Sequence, residues 1–103
     1  TTSDFSLTSI KVSSANKKYD SRNNCNLIVE TKSNKIINAC RASIIPESIK
    51  RIGESAFEGV HMDKIVIPDS VTYIDDYAFA YSILSEITLS ENVLQIGESA
   101  FGV

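Results

Sequence analysis

The most constraining feature of this chain is an internal repeat of 22 residues in its C-terminal half. Phe57, Phe79 and Phe101 recur at that interval, and each follows an alanine. Alignment on these phenylalanines gives the unit I-P-(E/D)-S-(I/V)-x-x-I-(G/D)-(E/D)-x-A-F. A fixed period of this length is typical of repeat proteins in which each copy forms one coil of a continuous stack. The sequence therefore predicts stacked coils around one shared apolar interior.

The apolar columns of the repeat predict which side chains form that interior. Residues 62–67 and 84–89 alternate apolar and polar positions, which is typical of a short strand with one buried face. Pro46 and Pro68 end such strands, because proline has no N–H to continue a ladder. The predicted core consists of Ile45, Ile49, Ile52, Ala56, Phe57, Ile65, Ile67, Val71, Ile74, Ala78, Phe79, Ile87, Leu89, Val93, Ile96, Ala100 and Phe101.

The second half of each coil predicts a short helix on the opposite side of the stack. Ile52, Ala56 and Phe57 lie at i, i+4 and i+5, on one face of a brief helix. The column of Gly53, which is occupied by glycine or aspartate, suits the start of that helix. The acidic column of Glu54 would then lie in the first turn, where carboxylates interact favourably with the helix dipole.

The repeat unit, read as I-P-x-S-(I/V)-x-x-I-G-x-x-A-F-x-G, resembles the BspA-type leucine-rich repeat over residues 45–103. Upstream, residues 7–12 repeat the strand pattern, and residues 19–40 resemble the hairpin-bearing variant of that family. The resemblance implies a right-handed α/β solenoid with a parallel sheet on one face, short helices on the other and an N-terminal β-hairpin insertion. The family often ends its coil with cysteine, whereas this chain has Val60 and Ser82, so we expect no cysteine ladder.

The chain divides into three predicted segments. Residues 1–6 form a flexible polar lead-in, residues 7–44 a strand plus hairpin, and residues 45–103 three repeats of which the last is incomplete. The sequence reaches Phe101 before another strand could follow, which predicts either a piece of a longer repeat protein or self-association through an open C-terminal edge. At 103 residues with 43% hydrophobic content, one small domain with a thin core is expected.

Composition argues against catalysis, nucleic-acid binding and membrane insertion. The chain has one histidine, His61, no tryptophan, and no C-x-x-C, G-x-S-x-G or H-E-x-x-H motif. Residues 1–46 carry seven Lys and Arg against three Asp and Glu, but they are scattered without an aromatic platform for bases. Residues 47–103 carry three against ten. No apolar run is long enough to span a membrane. We predict no enzyme activity and no cofactor.

Two stacked acidic columns, which begin at Glu47 and Glu54, raise one metal alternative. Neighbouring strands lie about 4.8 Å apart, so the repeat brings like charges close together. A ladder of Ca²⁺ sites could use them, but the dense D-x-D-type loop of such sites is missing from the sequence. Helix capping explains the acids without a metal, and we predict no metal site.

The two cysteines lie in a predicted hairpin with its turn at residues 31–34. If Glu30 faces Lys35, then Cys25 faces Cys40, and directly opposed residues are close enough for a disulfide bridge. Such a bridge would stabilise the fold by about 3 kcal/mol. A register slip of one residue would instead leave two packed free thiols. The sequence leaves both alternatives open.

Three tyrosines, Tyr73, Tyr77 and Tyr81, cluster in the middle coil at a spacing of four residues. The repeat excludes a helix long enough to align all three. Tyr73 shares a column with Arg51 and Gln95 that is predicted to face solvent, whereas the other two decorate the convex side. Exposed tyrosines can anchor a partner, but isolated surface aromatics are also common.

The strand side of the stack predicts an outward-facing row. The middle strand positions Lys11, Ile44, Val66 and Thr88 point away from the core and align across adjacent strands. Two aliphatic side chains in this row indicate a partner-binding strip, although the β-propensity of branched residues is an alternative explanation. The predicted flanks of the strip are Thr8, Ser9, Asp63, Lys64, Ser85 and Glu86.

The family resemblance carries the functional expectation. It implies a surface-exposed or secreted protein of host-associated anaerobic bacteria or parasitic protists that acts in adhesion. The chain would then be a non-catalytic protein-interaction module whose partners are proteins of a host or microbial surface. A purely structural spacer in a larger surface protein is the main alternative, and a small hydrolase or calcium-binding domain is a remote one.

Overall fold

The structure is a computed structural model that describes residues 7–102, in which the repeat forms stacked coils with short strands. The predicted lead-in at residues 1–6 lies outside the described residues, as does residue 103. A single 3₁₀ turn within the described part lies at Arg22–Asn24. The strands are β1 (Tyr19–Asp20), β2 (Leu27–Glu30), β3 (Lys35–Ala39), β4 (Arg51–Ile52), β5 (Lys64–Val66), β6 (Tyr73–Ile74), β7 (Glu86–Thr88) and β8 (Gln95–Ile96).

Six strands form one sheet in the order β1-β2-β3-β4-β6-β8. The first three are antiparallel and belong to the hairpin region, whereas β3, β4, β6 and β8 pair in parallel. Ile36, Ile52, Ile74 and Ile96 occupy one row across the parallel part. From β4 onward, paired residues are 22 positions apart, so each coil repeats the pairing of the coil before it.

Strands β5 and β7 form a second, two-stranded parallel sheet. Ile65 lies opposite Ile87, and Val66 lies opposite Thr88. Ile65 and Ile67 are buried while Val66 is exposed, which is the period of two that the sequence of this segment predicts. The two ladders thus hold each coil to the next at two separate places.

The predicted short helices are not formed, and residues 54–59 are a turn. The N–H of Ala56 donates to the carbonyl of Gly53 within the coil (3.1 Å), but the N–H of Phe57 donates to Ala78 in the next coil (2.7 Å). The same alternation continues along the turn and recurs one coil later. An α-helix bonds its N–H groups internally, so these bonds between coils replace it. The helix prediction was wrong because it considered only the apolar periodicity of a single coil.

The aromatic column of the repeat forms a stack in the interior. The rings of Phe57 and Phe79 have centroids 4.8 Å apart at 22°, and those of Phe79 and Phe101 are 5.3 Å apart at 10°. Phe57 and Phe79 are essentially inaccessible to solvent. The hairpin adds Leu27 and Val29 to the same cluster. One continuous apolar core therefore joins the hairpin to the coils.

The last coil is less buried than the sequence predicts. Leu89, Ile96 and Phe101 are 39%, 46% and 43% exposed, and Ile87 and Val93 are half-buried. Their outer faces are exposed because no further coil covers them among residues 7–102. The predicted self-association through this edge stays a prediction.

Residues 7–12 do not form the predicted strand. The N–H of Ile10 donates to the side-chain oxygen of Asn26 (3.2 Å), and the N–H of Val12 donates to the hydroxyl of Ser21 (3.0 Å). Side chains thus take the bonds that a neighbouring strand would have made. The segment therefore lies against the hairpin region as irregular backbone.

The hairpin has Glu30 opposite Lys35, as the sequence predicts. Between Ile28 and Val29 the register shifts, so that further along the pair Leu27 lies opposite Ala39. A bulge of this kind places one additional residue on one strand. Every pairing beyond the bulge is displaced by one position.

A polar clasp ties the hairpin to the first coil. The guanidinium of Arg22 binds both carboxylate oxygens of Asp20 at 2.7 and 2.8 Å, and its remaining nitrogen donates to Asn34 (2.5 Å) and Ser48 (3.2 Å). The hydroxyl of Thr31 also donates to Asp20 (2.6 Å). These bonds, chiefly that from Arg22, lower the pKa of Asp20 to about 2.

We expect Asp20→Asn to lower the free energy of unfolding at neutral pH by about 1–2 kcal/mol. The folded-state pKa of Asp20 lies below its ordinary value of 3.8, so its stabilisation is present above that value and is lost as the pH falls toward 2. Urea titrations between pH 2 and 7 should therefore show that the free energy of unfolding of the variant falls less on acidification than that of the wild type. Glu58→Gln, at an exposed carboxylate outside the clasp, is the control. An unchanged acid dependence for Asp20→Asn would contradict the assignment.

Candidate functional site

The outward row on β5 and β7 lies in a shallow groove of about 470 Å³. Val66 and Thr88 are paired across the two strands, and Ile44 stands one coil before Val66. All three line the groove. Ile44 is 71% exposed and Val66 is 65% exposed, so the floor presents two branched aliphatic side chains to solvent.

Paired polar groups lie beside the groove, and one of them, Lys64, lines it. Lys64 and Glu86 are in register on neighbouring strands, with Nζ and Oε1 3.8 Å apart. Beside them, the hydroxyl of Ser85 donates to the carboxylate of Asp63 (2.6 Å). The ion pair is exposed and contributes little to stability, but it leaves this side with a balanced charge. The structure therefore brings four of the sequence-predicted flanking residues together in two pairs.

The other side of the groove carries carboxylates that the sequence analysis did not assign to it. Glu47 and Asp69 line this rim next to Pro68. Neither forms an ion pair with a cation within residues 7–102. The signal that could have located them is their position three residues after Ile44 and Val66 in successive coils.

Lys11 is the predicted member of the row that the structure places elsewhere. Its side chain is exposed, but Lys11 does not line the groove, and neither do Thr8 and Ser9. The reason is the missing N-terminal strand, because residues 7–12 pair with no strand that would hold residue 11 in the row. The prediction that Lys11 belongs to the strip is therefore wrong.

A second, polar concavity of about 200 Å³ lies beside β4, β6 and β8. The guanidinium of Arg51 lies 4.5 Å from the ring centroid of Tyr73, and its Nε lies 3.1 Å from the carboxylate of Asp75. Gln95 continues the column and is exposed. Both partners of the cation belong to the next coil, so these contacts link the two coils and favour a stabilising role for this face.

Tyr77 and Tyr81 lie on the turn side and are 41% and 61% exposed. Both have positive φ, of 59° and 58°, where the equivalent residues of the preceding coil are Ser55 and Gly59. Bulky residues rarely adopt this conformation, so the turn geometry is imposed by the bonds between coils rather than by local preference. Their role in partner binding stays a prediction.

Cys25 and Cys40 are both buried and both free. The bulge displaces their register, and the thiol of Cys40 lies 3.7 Å from the backbone carbonyl of Asn26. The hydroxyl of Ser43 donates to the same carbonyl. Burial raises the pKa of Cys25, which keeps it as a packed, unreactive thiol at neutral pH. Of the two alternatives left by the sequence, the structure has the free thiols.

Within residues 7–102, no group of three or more His, Cys, Asp and Glu side chains is arranged to hold a metal ion. The same part of the chain has no helix with the length and apolar character needed to cross a membrane. The groove combines exposed apolar side chains with polar residues at its rims.

Comparison with known proteins agrees with the coil architecture. The protein-family model described as "BspA type Leucine rich repeat region (6 copies)" matches residues 37–103. No curated protein matches the chain. The matched region includes β4 to β8 and every residue that lines the groove.

Proposed function

The chain belongs to the BspA-type leucine-rich repeat family, and we propose that it is a protein-interaction module whose docking surface is the groove floor of Ile44, Val66 and Thr88. The single observation that carries this proposal is the exposure of Ile44 and Val66, two branched aliphatic side chains that line the same groove. Exposed apolar surface rimmed by polar groups is a common property of interaction sites. Covering each aliphatic side chain would contribute about 1–2 kcal/mol to binding.

The proposal includes adhesion as the biological setting. Leucine-rich repeats of this family are generally non-catalytic and generally belong to surface or secreted proteins. We propose that the partner is a protein on a host or microbial surface. A right-handed winding of the coils is part of the same proposal, because parallel strands joined by a crossover wind that way in nearly all proteins.

We expect Ile44→Glu combined with Val66→Glu to weaken binding by at least about 10-fold, because a partner would have to bury two new charges in place of apolar contacts. The measurement is binding of the labelled protein to a panel of immobilised extracellular proteins and fixed bacterial cells. Circular dichroism and urea titration should show an unchanged fold, since both side chains are exposed.

Ile83→Glu with Leu94→Glu is the matched control, because these side chains are 59% and 72% exposed but lie outside the groove. Equal binding by the wild type and both double variants would contradict the proposed docking surface. In that event the spacer interpretation would gain, since a spacer needs the stacked core and no particular surface.

A further inference from the structure

The two sides of the groove differ in charge. Lys64 on one side is neutralised by Glu86 (3.8 Å), whereas Glu47 and Asp69 on the other side have no cationic partner among residues 7–102. The other cations of this acidic half do not compensate, because Arg51 pairs with Asp75 at the second concavity and Lys50 does not line the groove. The groove therefore has an apolar floor with one negatively charged rim.

The acidic rim places two negative charges at one position of the repeat. Glu47 and Asp69 occupy the same position in the turns of successive coils, and like charges held close together repel each other. Residues 47–103 carry ten acidic against three basic side chains, so the surrounding field is negative as well. A cationic group placed on this rim would relieve the repulsion and would be attracted over a distance of several ångströms.

We propose that the docked partner is a basic polypeptide segment, in which branched apolar side chains cover Ile44 and Val66 while neighbouring Lys or Arg side chains bind Glu47 and Asp69. This inference rests on the proposed function of the groove and specifies the chemistry of its partner. Arginine or lysine beside an apolar residue matches both features of the groove at once. Nucleic acids and acidic segments are repelled by the same rim.

The experiment is selection from a displayed library of random short peptides against the wild-type protein, followed by removal of peptides that also bind Ile44→Glu/Val66→Glu. The expected result is a selected pool in which Lys and Arg outnumber Asp and Glu and adjoin Val, Ile or Leu. A single enriched peptide is then measured by fluorescence anisotropy against two neutralised variants.

Glu47→Gln with Asp69→Asn should weaken the binding of that peptide roughly 5- to 10-fold. Raised salt should reduce the difference in affinity between this variant and the wild type. Glu58→Gln with Glu98→Gln removes the same charge from exposed positions outside the groove and should leave the affinity within about 2-fold of wild type. Conservative amide replacements at exposed sites preserve the fold, so the comparison does not depend on stability.

The outcomes separate the two proposals. If no peptide survives the subtraction, the docking surface itself is wrong. If peptides survive without an excess of basic residues, or if both neutralised variants lose affinity equally, the groove binds a partner but the basic partner is wrong. Basic enrichment with loss only in Glu47→Gln/Asp69→Asn supports the inference.

Discussion

Replacing Phe79 with alanine is expected to lower the free energy of unfolding by about 3–5 kcal/mol. The ring is 1% exposed and lies between Phe57 and Phe101 in the aromatic stack, with centroid distances of 4.8 and 5.3 Å. Its removal leaves a cavity that neither neighbour can fill, because the hydrogen bonds between coils fix their backbones: the N–H of Phe79 itself donates to Ala100 (2.7 Å). Urea denaturation followed by circular dichroism provides the measurement.

Phe101→Ala is the matched control at the same column one coil later. Because Phe101 is 43% exposed, its loss creates less buried cavity and should cost about 1 kcal/mol. Similar losses for Phe79→Ala and Phe101→Ala would show that the aromatic column does not form the stack described here.

Gly53→Ala is expected to cost about 1–3 kcal/mol, although it adds only a methyl group. A Cβ atom at Gly53 would lie 2.4 Å from the backbone carbonyl oxygen of Ile36, which also accepts the hydrogen bond from the N–H of Gly53 (2.9 Å). The side chain cannot be accommodated by a rotamer change, because the opposing atom belongs to the hairpin backbone. Either the hairpin or the first coil must shift.

Gly102→Ala provides the comparison for the same chemical change. Its added Cβ would meet the side chain of Ser99 at 3.2 Å, which a small adjustment relieves, so the free energy of unfolding should change by about 0.5 kcal/mol or less. Thermal melts of both variants at equal concentration test the difference. A Gly53→Ala protein as stable as wild type would mean that the hairpin and coil are not in close backbone contact.

The interior of this protein is largely predictable from its sequence, because it repeats. Aligning the chain on Phe57 and Phe79 predicts the buried columns of Ile52 and Ile74 and the alternation of Ile65, Val66 and Ile67, and the structure places all of these as expected. A column position is buried when neighbouring coils lie on both sides of it. That condition fails in the last coil, where the sequence pattern is the same but Ile96 is 46% exposed.

The features that could not be predicted depend on bonds between segments. The turns at residues 54–59 look helical in the sequence, since Ala56 and Phe57 have helical spacing, but half of their N–H groups bond to the next coil. The hairpin bulge likewise has no signature in the sequence, and it alone displaces Cys25 from the position opposite Cys40. In both cases a partner remote in the sequence determines the local geometry.

The groove contains some, but not all, of the residues that the sequence predicted for the strip. Val66 and Thr88 align because they pair in the β5–β7 ladder, and Ile44 lines the same groove although it lies outside that ladder. Lys11 was assigned incorrectly because the ladder does not extend to it. Glu47 and Asp69 were attributed to helix capping, and only the groove geometry shows that they border the apolar floor.

The alternating hydrogen bonds between turns limit how a gene for this protein can change in length. Each coil offers its neighbour the same donors and acceptors 22 residues apart, so the duplication or deletion of one whole coil rejoins compatible surfaces. Loss of a single residue inside a turn would instead exchange the donors that point to the next coil with those that point inward. Relatives should therefore differ by complete coils, and small insertions should be confined to the hairpin.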